Sequence, residues 1–220
     1  MAKLTEGKVL QVLDWAYNSA IEGLPKTLSA YELADDYLKK SKTPDDAINK
    51  LIKWQQSKCA TSGFITGLGG IVTLPVAIPA NIASVTYVQI RMIASIAHIR
   101  GYDLKDDQVQ TFVYACLTGQ GVADIVKQGA IKIGVKAGQA QIKRIPGEVL
   151  KAINKAVGFR LVTKFGQKGV INLGKAVPLI GGIVGGTFDA TSTYMVGRMA
   201  KETFKDGGYN RGEGMVIDIQ

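Results

Sequence analysis

Apolar positions recur along this chain with a helical period. Val9, Leu10, Val12, Leu13 and Ala16 share one face of a helix predicted over residues 5–22, and Gly23-Leu24-Pro25 ends it. Ser29-Ala-Tyr-Glu32 has the form of a capping box, so a second helix runs to about Lys40. Thr43-Pro44-Asp45-Asp46 opens a third, with Thr as N-cap, Pro in the first turn and acids at the positive end of the dipole; it runs to about Ser62. Further helices are expected from about Pro79 to Gly101, from Asp106-Asp107 to Gly119, from Pro146 to about Val157, and from about Gly185 to Gly207-Gly208. No alternating run with a hairpin turn argues for a strand. The pattern predicts an all-α, compact multi-helix domain. Residues 1–62 form N-terminal amphipathic helices, 63–208 a helical domain continuous with them, and 209–220 a flexible tail.

One stretch departs from that pattern. No charge occurs from Cys59 to Ile90, a run of 32 residues broken by four glycines and two prolines. A lone spanning helix needs about 20 clean apolar residues. Pro75 and Pro79 cut this run, and the longer piece carries Gln89 and Arg91, an Arg costing about 2.5–3.5 kcal/mol at mid-membrane. Core helices buried all round except at a polar stripe fit better. The alternative is shallow insertion of an uncharged turn, with Leu74, Pro75, Val76, Ile78 and Pro79 as the membrane-insertion candidates.

The stripe consists of Asn81, Ser84, Val88, Arg91, Ser95 and His98, spaced 3, 4, 3, 4, 3. A shift of 107 residues sets Ala83, Thr86, Tyr87, Arg91 and Met92 on Ala190, Thr193, Tyr194, Arg198 and Met199. GLGGIVTLP precedes one helix and VPLIGGIVGG the other. This suggests two Gly/Pro-rich apolar helical hairpins related by internal duplication. Gln89, Arg91, Asp189 and Arg198 are expected to be buried polar or structural residues. Asp189 lies on the apolar face of its helix and needs a partner, with Gln89, Arg160 or Lys164 in reach.

Composition changes the picture through charge. The net charge is +9, yet residues 127–175 hold eleven Lys or Arg and one acid, Glu148, leaving the remainder near neutral. Such a segment faces an anionic membrane surface or an acidic protein, through Lys127, Lys132, Lys136, Lys143 and Arg144. Only Phe159 and Phe165 are aromatic there, so nucleic acid is disfavoured. Cys59 and Cys116 suggest buried thiols rather than a disulfide framework. His98 stands alone, and no Walker, G-x-G-x-x-G or G-x-S-x-G sequence occurs, which argues against a metal site, a cofactor and an enzyme. The charged, amphipathic N-terminus predicts the cytosol.

TSGFITGLGGIVTLPVAIPANIASVTYVQIRMIASIAHIRGYD, VGFRLVTKFGQKG and VPLIGGIVGGTFD together resemble the EcsC family of bacterial proteins, in the family's order. The family is named for a gene beside an ABC exporter. The resemblance implies a setting, transport or the envelope, and no reaction. A related helical domain with a similar Pro-Ala/Asp-Ile-Pro…Gln-x-Arg-Met pattern is fused to membrane-associated GTPases, which adds a membrane link by analogy. The combined expectation is a peripheral membrane accessory that is not an enzyme. A soluble helical adaptor for an acidic protein or lipid chain, and a pore-former, are the alternatives.

Overall fold

The structure, a computed structural model, describes residues 5–60, 80–119, 147–173 and 178–204, with side chains over 5–58, 83–119, 147–163 and 190–204. Among the described residues there are seven α-helices and no strand: α1 Glu6–Glu22, α2 Ala30–Lys39, α3 Pro44–Ala60, α4 Ala80–Ile99, α5 Asp107–Cys116, α6 Gly147–Leu173 and α7 Pro178–Thr203.

Local chemistry sets the ends of these helices. The Ser29 hydroxyl accepts from the Glu32 amide at 3.2 Å while the Glu32 carboxylate accepts from the Ser29 amide at 2.8 Å, closing the expected capping box. Hydrogen bonds to the carboxylate from the Ser29 amide, and then from the Ser29 hydroxyl, hold the Glu32 carboxyl below its ordinary value. Thr43 caps α3 by accepting from the Asp46 amide at 3.1 Å, and Asp106 caps α5 by accepting from the Gln108 amide at 2.8 Å. At the end of α4 the Gly101 amide reaches His98 O and the Tyr102 amide reaches Ala97 O. This closure needs a left-handed residue, and Gly101 supplies φ +82.

Helix α4 is the centre of the bundle. It packs on α1, α2, α3, α5 and α7, and every residue from Ala83 to Ala97 is buried. Helices α1 and α2 cover one side; α3 and α7 pack on each other and cover another. Helix α6 lies outside, against α1 and α5. The loop before α5 is tied back by the Tyr17 hydroxyl, which donates to Leu104 O at 2.8 Å, and by Tyr102 edge-on to Phe204. Burial pushes the Tyr17 phenol up.

Two helices differ from their sequence-predicted limits. The α6 helix continues past Val157 to Leu173, and α7 begins at Pro178 rather than Gly185, so VPLIGG is mostly helix and not a turn. Proline suits the first helical turn because its missing amide is an orphan there. Gly158 is accommodated because α6 lies close to α1, with the Leu10 side chain 3.6 Å from where a Cβ would stand. The apolar stretch 61–79, residues 120–146 and the tail 209–220 lie outside the described residues.

An ionic node closes one end of the bundle. Asp45 in the first turn of α3 accepts from Arg100 Nη2 at 2.6 Å and from Lys201 Nζ at 3.1 Å, and Lys201 also donates to Asn49 Oδ1 at 3.0 Å. The Lys201 hydrogen bond, helped by Arg100, holds the Asp45 carboxyl below its usual range. A lowered carboxyl contributes stability that is fully present above its unfolded value, about 3.9, and lost as pH falls through the folded value. Because Asp45 is 55% exposed, screening limits this to under about 1 kcal/mol. Asp45→Asn should therefore lower the thermal midpoint slightly at pH 7. The gap to wild type should close below about pH 4 in melts followed by circular dichroism.

Glycine at 197 permits the close approach of α3 and α7. A Cβ there would stand 2.8 Å from Ile52 Cγ1 and 3.0 Å from Ile52 Cγ2. Gly197→Ala should be destabilising despite a helix-propensity gain of about 1 kcal/mol, because overpacking costs about 1–3 kcal/mol. Gly158→Ala, with ordinary contact distances, should be neutral or stabilising. Denaturant midpoints of the two variants that moved together would refute the tight α3–α7 approach.

Candidate functional site

Polar side chains on α4 converge on the connection before α2. Tyr87, Arg91, Ser95 and His98 follow one another along a single face. The Tyr87 hydroxyl lies 2.9 Å from Thr27 Oγ1, Arg91 Nη1 donates to Leu28 O at 3.1 Å, and Ser95 Oγ donates to Ala30 O at 2.9 Å. His98 stacks edge-on against Tyr31, its Nε2 3.9 Å from Asp35. The stripe expected to remain uncovered is thus covered by α2 and its lead-in. Its polar groups serve as a register device for packing.

Arg91 is the least compensated of these. It is 4% exposed, and among the described residues no carboxylate pairs with it. A carbonyl and the Tyr87 ring, 5.2 Å away, hold the guanidinium, while its buried Nε has no hydrogen-bond partner among the described residues. Its positive charge, after burial, helps lower the pKa of Lys58, which lies over the Trp54 ring. Gln89 points elsewhere: it is buried and donates to Thr193 Oγ1 at 3.1 Å and Ser192 Oγ at 3.4 Å on α7. Arg198 departs from the expectation of burial. It is exposed, next to the Tyr194 hydroxyl. The matching positions of the two similar helices therefore sit in unlike surroundings, Tyr87 being 1% exposed and Tyr194 41%. The backbone of Asp189 is in α7, but its side chain lies outside the described residues.

The insertion candidates Leu74, Pro75, Val76, Ile78 and Pro79 lie outside the described residues, as do Lys127, Lys132, Lys136, Lys143 and Arg144. Part of the uncharged run is visible: Ala83 to Ile90 are all core. No helix among the described residues is long and apolar enough to cross a membrane. No described cluster of His, Cys, Asp or Glu is arranged for a metal. Cys116 is buried, its thiol 3.4 Å from Thr203 Oγ1 and pushed up to about 12 by burial, which makes it a poor nucleophile at neutral pH.

The visible part of the basic segment is α6. Ile153, Val157 and Leu161 turn inward to the core, while Lys151, Lys155, Phe159 and Thr163 are exposed at a spacing of four. Phe159, at 62%, is the most exposed of the large apolar side chains described. Sequence reading passed over these residues as contacts, although their i, i+4, i+8 spacing within the basic segment was available. Trp54, Tyr194 and Met195 form a second set of exposed apolar residues, on α3 and α7.

Seven helices packed without a strand, a central helix carrying Gln89-x-Arg91-Met92, and a basic outer helix define an all-α scaffold with no recognisable reaction centre among its described residues. The profile of the EcsC protein family matches residues 12–206, and the chain belongs to that family. No curated protein and no solved structure matches it significantly.

Arg91→Met should cost on the order of 1 kcal/mol, the worth of its hydrogen bond to the part-buried Leu28 carbonyl. Thermal melts check this, and a midpoint unchanged from wild type would remove Arg91 from the account of the core.

Proposed function

We propose that this EcsC-family chain is a non-enzymatic accessory protein that works at an anionic membrane surface. In this reading it is cytoplasmic, peripheral at the inner face of the cell membrane, and serves a transporter or an envelope response. One observation carries it: the whole excess of positive charge falls within residues 127–175. Exposure of Lys151 and Lys155 on α6 supports it. The Gly/Pro-rich stretch adds shallow insertion through Leu74, Pro75, Val76, Ile78 and Pro79. The two apolar hairpins and their origin by duplication belong to the same proposal. No metal or cofactor takes part. A soluble adaptor for an acidic protein or lipid chain is the second reading, favoured by exposed Trp54, Tyr194 and Met195.

Flotation with vesicles tests the proposal. Wild type should float with phosphatidylserine-containing vesicles at low salt and be released as salt rises. Neutralising Lys132, Lys136, Lys143 and Arg144 together should weaken binding by about 1 kcal/mol per charge and leave the circular dichroism unchanged. Wild type that stays unbound at low salt overturns the membrane reading and favours the adaptor.

A further inference from the structure

From the outer face of α6 we infer a membrane-docking surface in which Lys151 and Lys155 meet lipid phosphates and Phe159 enters the headgroup–acyl boundary. This inference rests on the membrane-surface reading above and assigns it to residues. Three features of the helix carry it.

The first is geometry. Lys151, Lys155 and Phe159 are four residues apart, so their side chains rise from one face, one turn above another. That face is opposite Ile153, Val157 and Leu161, which anchor α6 in the core. The stripe is therefore presented by a packed helix and keeps its direction.

The second is the exposure of Phe159. The ring stands 62% exposed, one turn beyond Lys155. In water a ring so exposed gains little from burial. At a bilayer surface the face matches the amphipathic arrangement that interfacial helices use, with cations on the phosphates and a ring below them.

The third is charge complementarity. The exposed face bears Lys151 and Lys155, with Arg160 half-buried at its side. The acid Glu148 is exposed on this same face, three residues before Lys151, in the first turn, where it complements the positive end of the helix dipole. The face thus turns positive where Phe159 is. A phosphatidylserine surface fits this pattern better than an acidic peptide, because an exposed ring gains little from a polar partner and is buried at a headgroup–acyl boundary.

The test compares wild type, Phe159→Ser, Lys151→Gln/Lys155→Gln and Met195→Ser for partition onto phosphatidylcholine vesicles with and without about one third phosphatidylserine. Phe159→Ser should lower partition about tenfold. The double lysine variant should lower it about 25-fold at low salt, from about fivefold per charge. Met195→Ser, on α7, should bind like wild type. Phe159→Trp should bind more tightly than wild type, a gain that misfolding does not produce. If wild type binds and Phe159→Ser and the lysine variant bind equally well, the α6 assignment falls while the membrane reading stands. If wild type ignores both vesicles but binds polyglutamate, both fall and the partner is an acidic protein.

Discussion

Helix α4 is buried on every side from Ala83 to Ala97, and five of those residues, Ser84, Thr86, Gln89, Arg91 and Ser95, are polar. A buried polar group costs about 1–3 kcal/mol unless it is hydrogen-bonded. The apolar part of such a helix would tolerate rotation or sliding, since Val, Ile and Ala look alike from every direction. The polar part does not. Arg91 reaches the Leu28 carbonyl, Ser95 reaches the Ala30 carbonyl as well as that of Arg91 in its own helix, and Gln89 reaches the Ser192 and Thr193 hydroxyls. These bonds fix the rotation of α4 against α2 on one side and α7 on the other. The burial of the apolar residues then supplies most of the stability.

The other helices are arranged around that requirement. The capping box at Ser29 holds the chain where the Leu28 and Ala30 carbonyls face α4. Gly197 lets α7 come close enough to α3 for both to cover the same central helix. Asp45 then joins the start of α3 to Arg100, just past α4, and to Lys201 near the end of α7. With the Asp45 carboxylate exposed, although Arg100 is buried, screening keeps the contribution of this node small. Its effect is to align three chain segments that the core already brings together.

Where signals were local, the sequence was legible. Thr43-Pro44-Asp45-Asp46, Ser29-x-x-Glu32 and Asp106-Asp107 each carry their own cap, and those helix starts fall as expected. The all-α class and the family follow the same way. What failed to be legible depends on packing. Whether a glycine inside a helical pattern ends the helix or permits a close approach is decided by the neighbouring helix, so the extents of α6 and α7 were misjudged around Gly158 and Gly181-Gly182. Likewise, a stripe of Ser, Arg and His looks like a solvent face until α2 is seen to cover it. Periodicity shows that a face exists. It does not show what lies on it.

That distinction decides what the uncharged run can do. Its described portion, Ala83 to Ile90, is locked in the core by Gln89 and the side chains around it, and withdrawing it would unmake α4. Any contact with a membrane or partner that leaves the fold intact must come from elsewhere. Besides Leu28, the large apolar side chains exposed among the described residues stand on the outer face of α6 and on the exposed side of α3 and α7. Both faces combine a cation with an exposed ring, Lys151 and Lys155 with Phe159 on α6 and Lys58 with Trp54 on α3, but only the first lies inside the segment that holds the whole charge excess. Long-range attraction acts on the charged segment first, because the field of clustered lysines reaches about a Debye length, roughly 8 Å in physiological salt. An apolar residue is felt only on contact. In the reading proposed above, the α6 face is therefore the one that an anionic surface would meet first.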